Sequence, residues 1–90
     1  MKSDIASLIT ALDRLASEDF SMGQAWEAVH DLCQANEGKA PFDWGHALCH
    51  RVEGDDWNAA YWYRRAGKPV ATGSLADEWA AMKVVLVSAG

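Results

Sequence analysis

The chain is poor in the residues that announce a chemical task. Only two of its 90 residues are cysteine and two are proline. It has no C-x-x-C, no G-x-S-x-G and no glycine-rich strand-to-helix turn. These absences remove the signatures of dithiol redox sites, serine hydrolases and phosphate-cradling loops. No apolar run approaches the roughly 20 residues of a membrane span. Asp4, Asp13 and Arg14 interrupt the early apolar positions, so no targeting segment is expected. Two cysteines without such a segment fit reduced thiols, and the expected location is cytoplasmic.

Basic charge is also scarce, and the formal net charge is -5. Residues 1–38 carry two basic and seven acidic side chains, whereas residues 39–90 carry six of each. The whole imbalance therefore sits in the first half, which argues against nucleic-acid or anionic-membrane partners.

What the chain does have is apolar and aromatic bulk. Half of the residues are hydrophobic and five are tryptophan. Ninety residues allow one domain, 1–90, and large side chains are how so short a chain fills a core. Hydrophobic spacing of three and four residues recurs, so an all-α bundle of about five short helices is expected.

The stretch that organises the rest is HRVEGDDWNAAYWYRRAG, residues 50–67. Gly54 is placed to break one helix, and Asp55 or Asp56 to cap the next. Arg64, Arg65 and Lys68 suit the negative end of the helix dipole, with Gly67 and Pro69 as the stop. At about 100° per residue, positions 57–66 are apolar nearly all round, with Asn58 and Arg65 as the polar stripe. Helix four, residues 55–66, is therefore expected at the centre of the bundle. Arg64 falls inside the apolar sector, so a carboxylate partner is expected from Glu53, Asp56, Asp77 or Glu78.

The other helices follow from the same spacing. Ile5, Leu8, Ile9, Leu12 and Leu15 predict helix one over residues 3–16, with Ser3 as its cap. Met22, Ala25, Trp26, Val29, Leu32 and Cys33 predict helix two over residues 21–36. Pro41 suits the first turn of helix three, which is expected to run to Glu53. The sequence GKPVATGS, residues 67–74, reads as a loop. Leu75, Trp79, Met82 and Leu86 predict a last helix whose final two or three residues fray.

With Gly54 between two helices, Ala47, Ala59, Tyr63 and Ala66 stand at small–small–aromatic–small spacing. In this the segment resembles one tetratricopeptide-type helix pair. It is also similar to a group of uncharacterised bacterial proteins carrying an HRxEGDxxNAxYWYRRAG-like segment. Both resemblances imply α-helices, and neither implies a catalytic residue.

Three sets of candidate functional residues emerge. Trp57, Tyr61, Arg64 and Arg65 are the binding candidates, because Trp, Tyr and Arg dominate contact hot spots. His46, Cys49 and His50 share a helix, and His30 and Cys33 on helix two offer further ligands suited to zinc. The pattern is not H-E-x-x-H, since Ala47 stands where the glutamate base would be. Arg51, Arg64 and Lys68 form an alternative anion site. No catalytic residue is assigned. The reading favoured is a non-catalytic protein-interaction or assembly module without cofactor, with a protein partner or a homodimer. The alternative is a small zinc-binding or thiol-dependent protein using the His/Cys residues.

Overall fold

The computed structural model describes the backbone of residues 2–89 and the side chains of residues 4–88. Five helices follow in order: α1 (Lys2–Ser17), α2 (Gln24–Gln34), α3 (Ala40–Glu53), α4 (Asp56–Ala66) and α5 (Leu75–Ala89). Among the described residues there is no strand, and no helix is long and apolar enough to cross a membrane. The expected all-α bundle is the observed fold. The cap assigned to Ser3 falls on a side chain outside those described. So does the terminal Gly90, at the end expected to fray.

The punctuation of the central segment follows backbone chemistry. Gly54 ends α3 in the left-handed region, at φ 82°, and Gly67 ends α4 at φ 71°. Each places the next amide over the last turn: Asp55 N–H donates to the His50 carbonyl, and Lys68 N–H to that of Tyr63. Asp55 caps α4, its carboxylate accepting from the Asn58 backbone and side-chain amides. Helix two is shorter than its spacing predicts. Asp19 and Phe20 both adopt positive φ, and α2 starts only after Gly23. Met22, expected on the buried stripe, therefore lies outside the helix and is exposed.

The principal correction concerns which helix is central. It is α3, which packs against all four others, whereas α4 packs along α3 and reaches α5 through the Tyr63 hydroxyl on Glu78. Seven α3 residues, Phe42, Asp43, Gly45, His46, Ala47, Leu48 and Cys49, are buried. The main core joins Leu8, Leu12 and Leu15 of α1 and Val29 of α2 to Leu48 of α3 and to Met82 and Leu86 of α5. A smaller core holds Ala47 against Ala59, Trp62 and Tyr63. The alanines let the α3 and α4 backbones approach closely, and the rings fill the flanks. α4 is apolar on its inner side only. Its outer side exposes Asp56, Trp57, Arg64 and Arg65.

An enclosed helix needs its polar side chains satisfied from its neighbours. Glu78 of α5, itself buried, does this at one end. Its carboxylate accepts from Arg51 Nη1 at 2.6 Å, Trp44 Nε1 at 3.1 Å and the Tyr63 hydroxyl at 2.5 Å. It thus ties α3, α4 and α5 together. Burial pulls the Arg51 guanidinium down, but the hydrogen bond and charge of Glu78 outweigh that and hold it above its ordinary value. Burial, reinforced by Glu78, pushes the Tyr63 phenol well up, so it stays a donor. Here the expectation for Arg64 fails. The arginine paired with the buried Glu78 carboxylate is Arg51, and Arg64 is exposed, 6.0 Å from the Tyr61 ring centre.

Two outcomes test this packing. A Cβ at Gly45 would lie 2.8 Å from Cys33 Sγ and 3.4 Å from Leu8 Cδ1. Gly45→Ala should therefore cost about 1–3 kcal/mol in urea denaturation. Adding Cys33→Ala removes the closest atom, and the double variant should be more stable than the two separate costs predict. Strict additivity would place the crowding elsewhere. Glu78→Ala leaves the buried Tyr63 hydroxyl unpaired and removes the acceptor shared by Trp44 and Arg51, and should cost about 2 kcal/mol. An unchanged denaturation midpoint would refute the three-way tie.

Candidate functional site

α2, α3 and α4 meet at a layer of stacked rings. Trp26 and His30 lie one turn apart on α2, and their rings stack at 4.8 Å. Trp26 Nε1 also donates to the Cys49 carbonyl at 2.8 Å, which fixes the face of α2 against α3. His46 and His50, one turn apart on α3, stack at 5.0 Å. The other face of His46 stacks on Trp62 of α4 at 3.9 Å, with the planes 12° apart. His30 closes the group, edge-on to His46 at 4.8 Å and to His50 at 5.6 Å.

One ligand nitrogen from each of His30, His46 and His50 lies within 4.8 Å of the others. The three differ in their surroundings. His46 is 3 % exposed, and its Nδ1 is buried with no hydrogen-bond partner. His50 Nδ1 is 2.5 Å from Glu53 Oε1, which leaves its Nε2 free of that carboxylate. His30 retains 20 % side-chain exposure and opens the group toward solvent. A second convergence, of His50, Glu53 and Asp55, adjoins the first through the shared His50.

The sequence foresaw the three histidines but grouped them with Cys33 and Cys49. Among the described residues, neither sulfur belongs to a converging ligand group. Both cysteines are fully buried free thiols within the main core. Burial, then the Asp43 charge, pushes the Cys33 thiol up to about 12. Burial raises Cys49 as well, followed by Cys33 and Glu53. Burial thus favours the neutral thiol over the thiolate at both positions. Positions 49 and 50 fall on opposite sides of His46 around the helix, about 100° apart, and position 49 enters the main core.

The four binding candidates all lie on α4. Trp57 is 78 % exposed, Tyr61 is half-buried, and Arg64 and Arg65 are exposed. Spacings of four, three and four residues put Tyr61 next to the other three. Arg65 Nη1 donates to the Tyr61 hydroxyl at 2.9 Å, and its guanidinium stands 5.3 Å from the Trp62 ring centre. The anion site proposed for Arg51, Arg64 and Lys68 does not form. Arg51 is bound to Glu78 and to the Gly73 carbonyl, and the Lys68 amine stands 4.4 Å from the Trp44 ring centre.

The pH dependence of stability tests the ring layer. Burial, then the charges of His30 and His50, lowers the His46 pKa from 6.5 to about 4. The unfolded chain therefore binds the extra proton first. His46 favours the fold fully above pH 6.5, and that contribution is lost as the pH falls toward 4. The melting temperature should drop between pH 6.5 and 5, and less in His46→Gln. An equal drop in both proteins would show that other groups carry the acid sensitivity. The groups facing His46 are His30 from α2, His50 and its partner Glu53 from α3, and the uncharged Trp62 from α4.

Comparison of the chain with protein-family models, with curated proteins and with solved structures gave no match.

Proposed function

We propose that the protein is a non-catalytic protein-interaction module whose contact surface is the outer face of α4. The observation that carries this reading is Trp57, a large indole left 78 % exposed at the start of that helix. It heads a strip with Tyr61, Arg64 and Arg65, the residue types that supply most contact energy in protein interfaces. The strip is partly pre-ordered. Arg65 is anchored to the Tyr61 hydroxyl, and the Arg64 guanidinium lies 6.0 Å from the Tyr61 ring centre. Ordering before contact lowers the entropic cost of association.

The partner this surface suits carries an apolar slot flanked by carboxylates. A second copy of the chain meets the charge requirement, because its acidic excess lies entirely in residues 1–38. In that arrangement the α4 strip of each copy meets the acidic half of the other, a reciprocal pairing that closes as a dimer.

Light scattering after size exclusion, over a dilution series, tests this. A dimer should appear at high concentration and dissociate on dilution, and about 0.5 M salt should weaken it. Trp57→Ala and Arg65→Ala should each weaken it about tenfold or more. An assembly unchanged by both substitutions would exclude this face, and a monomer at every concentration would exclude self-association.

A further inference from the structure

We propose that His30, His46 and His50 form a binding site for one divalent transition-metal ion, with zinc the best match, bridging α2 and α3. This inference does not depend on the interaction surface of α4. It starts from a contrast between buried polar groups. Glu78 accepts three hydrogen bonds, and Asp43 accepts one from the Gly38 amide. Both are explained by the fold. The imidazole of His46 is not, since its buried Nδ1 has no partner. Leaving such an atom unpaired costs about 1–3 kcal/mol, and a leucine or phenylalanine would fill the space without that cost.

Two more imidazoles share the place, which a purely apolar layer does not need. Three neutral imidazoles are a zinc donor set, and the fourth position is left for water or another ligand. The converging nitrogens lie within 4.8 Å of one another. Tetrahedral coordination at the usual zinc–nitrogen bond length brings them to about 3.3 Å. That contraction falls chiefly to His30, the most exposed of the three and the only one on α2.

The surroundings are those of a metal site as well. Glu53 engages His50 Nδ1, which fixes the tautomer and directs Nε2 elsewhere. A carboxylate behind a ligating histidine does the same in zinc proteins and raises ligand basicity. Trp26 stacks on His30 and Trp62 on His46, so two of the three rings are held in plane by neighbours. His30, the most exposed of the three, gives the ion a path from solvent. Softer chemistry is excluded by position, since both sulfurs lie in the core and outside the convergence. A donor set of imidazoles alone suits zinc, nickel and copper(II), and disfavours magnesium and calcium, which prefer oxygen.

The test is titration of the full-length, untagged protein, stripped with chelator, with zinc chloride at pH 7.5. Calorimetry should give one equivalent, and the melting temperature should rise by about 5 °C or more at excess zinc. Magnesium should do neither. Cobalt(II) should give the intense visible bands of a four-coordinate ion. His30→Gln removes a ligand at a partly exposed position and should weaken zinc binding about 100-fold or more, with the far-ultraviolet circular dichroism unchanged. Glu53→Gln should weaken it about tenfold. Absence of both binding heat and melting shift in the wild-type protein would overturn the proposal. Binding undiminished in His30→Gln would overturn it too, by moving the ion to the adjoining group of His50, Glu53 and Asp55. His46→Gln guards against a misreading of His30: loss in both variants confirms the three-ring site, and retention in His46→Gln overturns it.

Discussion

The structure depends on the enclosure of α3. With seven of its residues buried by four neighbours, α3 leaves little solvent for its polar groups, and all but His46 Nδ1 among the buried ones are met by a neighbour. The burial of Asp43, the reach of Trp44 and Arg51 to Glu78, and the ring layer around His46 all follow from that one constraint. Close approach is the second consequence. Gly45 and Ala47 lie where α3 meets its neighbours, and a side chain any larger at Gly45 would strike Cys33. The two cores on either side of α3 are coupled through its backbone, although they share few side chains.

Glu78 shows how such a helix is held in register. One carboxylate from α5 receives an indole, a guanidinium and a phenol from two other helices. Three directional bonds to a single acceptor specify angle and depth more tightly than apolar packing does, because dispersion contacts tolerate small slides. The paired Asp13 plays a lesser version of this role between α1 and α5, accepting from Trp79 Nε1 and Lys83. There the groups are half-exposed, so the ion pair contributes little stability of its own.

α4 stands in a different relation to the fold. It packs along α3 through small residues and two rings, touches α5 at Glu78, and its other side faces outward. That position divides a helix of nearly continuous apolar and aromatic sequence into a buried half and an exposed half. The inner half completes the ring layer with Trp62 and the Glu78 tie with Tyr63. The outer half presents Trp57, Tyr61 and two arginines.

Much of this was legible in the sequence. Five helices, the glycine stops at Gly54 and Gly67, a cap at Asp55 or Asp56 and the packing of Ala47 against Ala59 and Tyr63 all follow from spacing and from local backbone chemistry. Local interactions decide such features, so a linear chain records them. The three histidines were visible as candidates for the same reason: i, i+4 spacing puts His46 and His50 on one face. What only the tertiary structure decided is which of two apolar helices would be surrounded, which arginine would meet Glu78, and that the cysteines would turn away from the histidines. Periodicity shows that a helix has an apolar face but not how many neighbours will cover it. Arg64 was expected to find the carboxylate, but Glu78 of α5 lies beside Arg51 instead. The start of α2 was missed because Asp19 and Phe20 take positive φ, a strained choice for both residues that no local preference announces. The sequence by itself determined the helices and the chemical groups at hand; the order of enclosure, which rests on contacts between residues far apart along the chain, determined which of those groups came together.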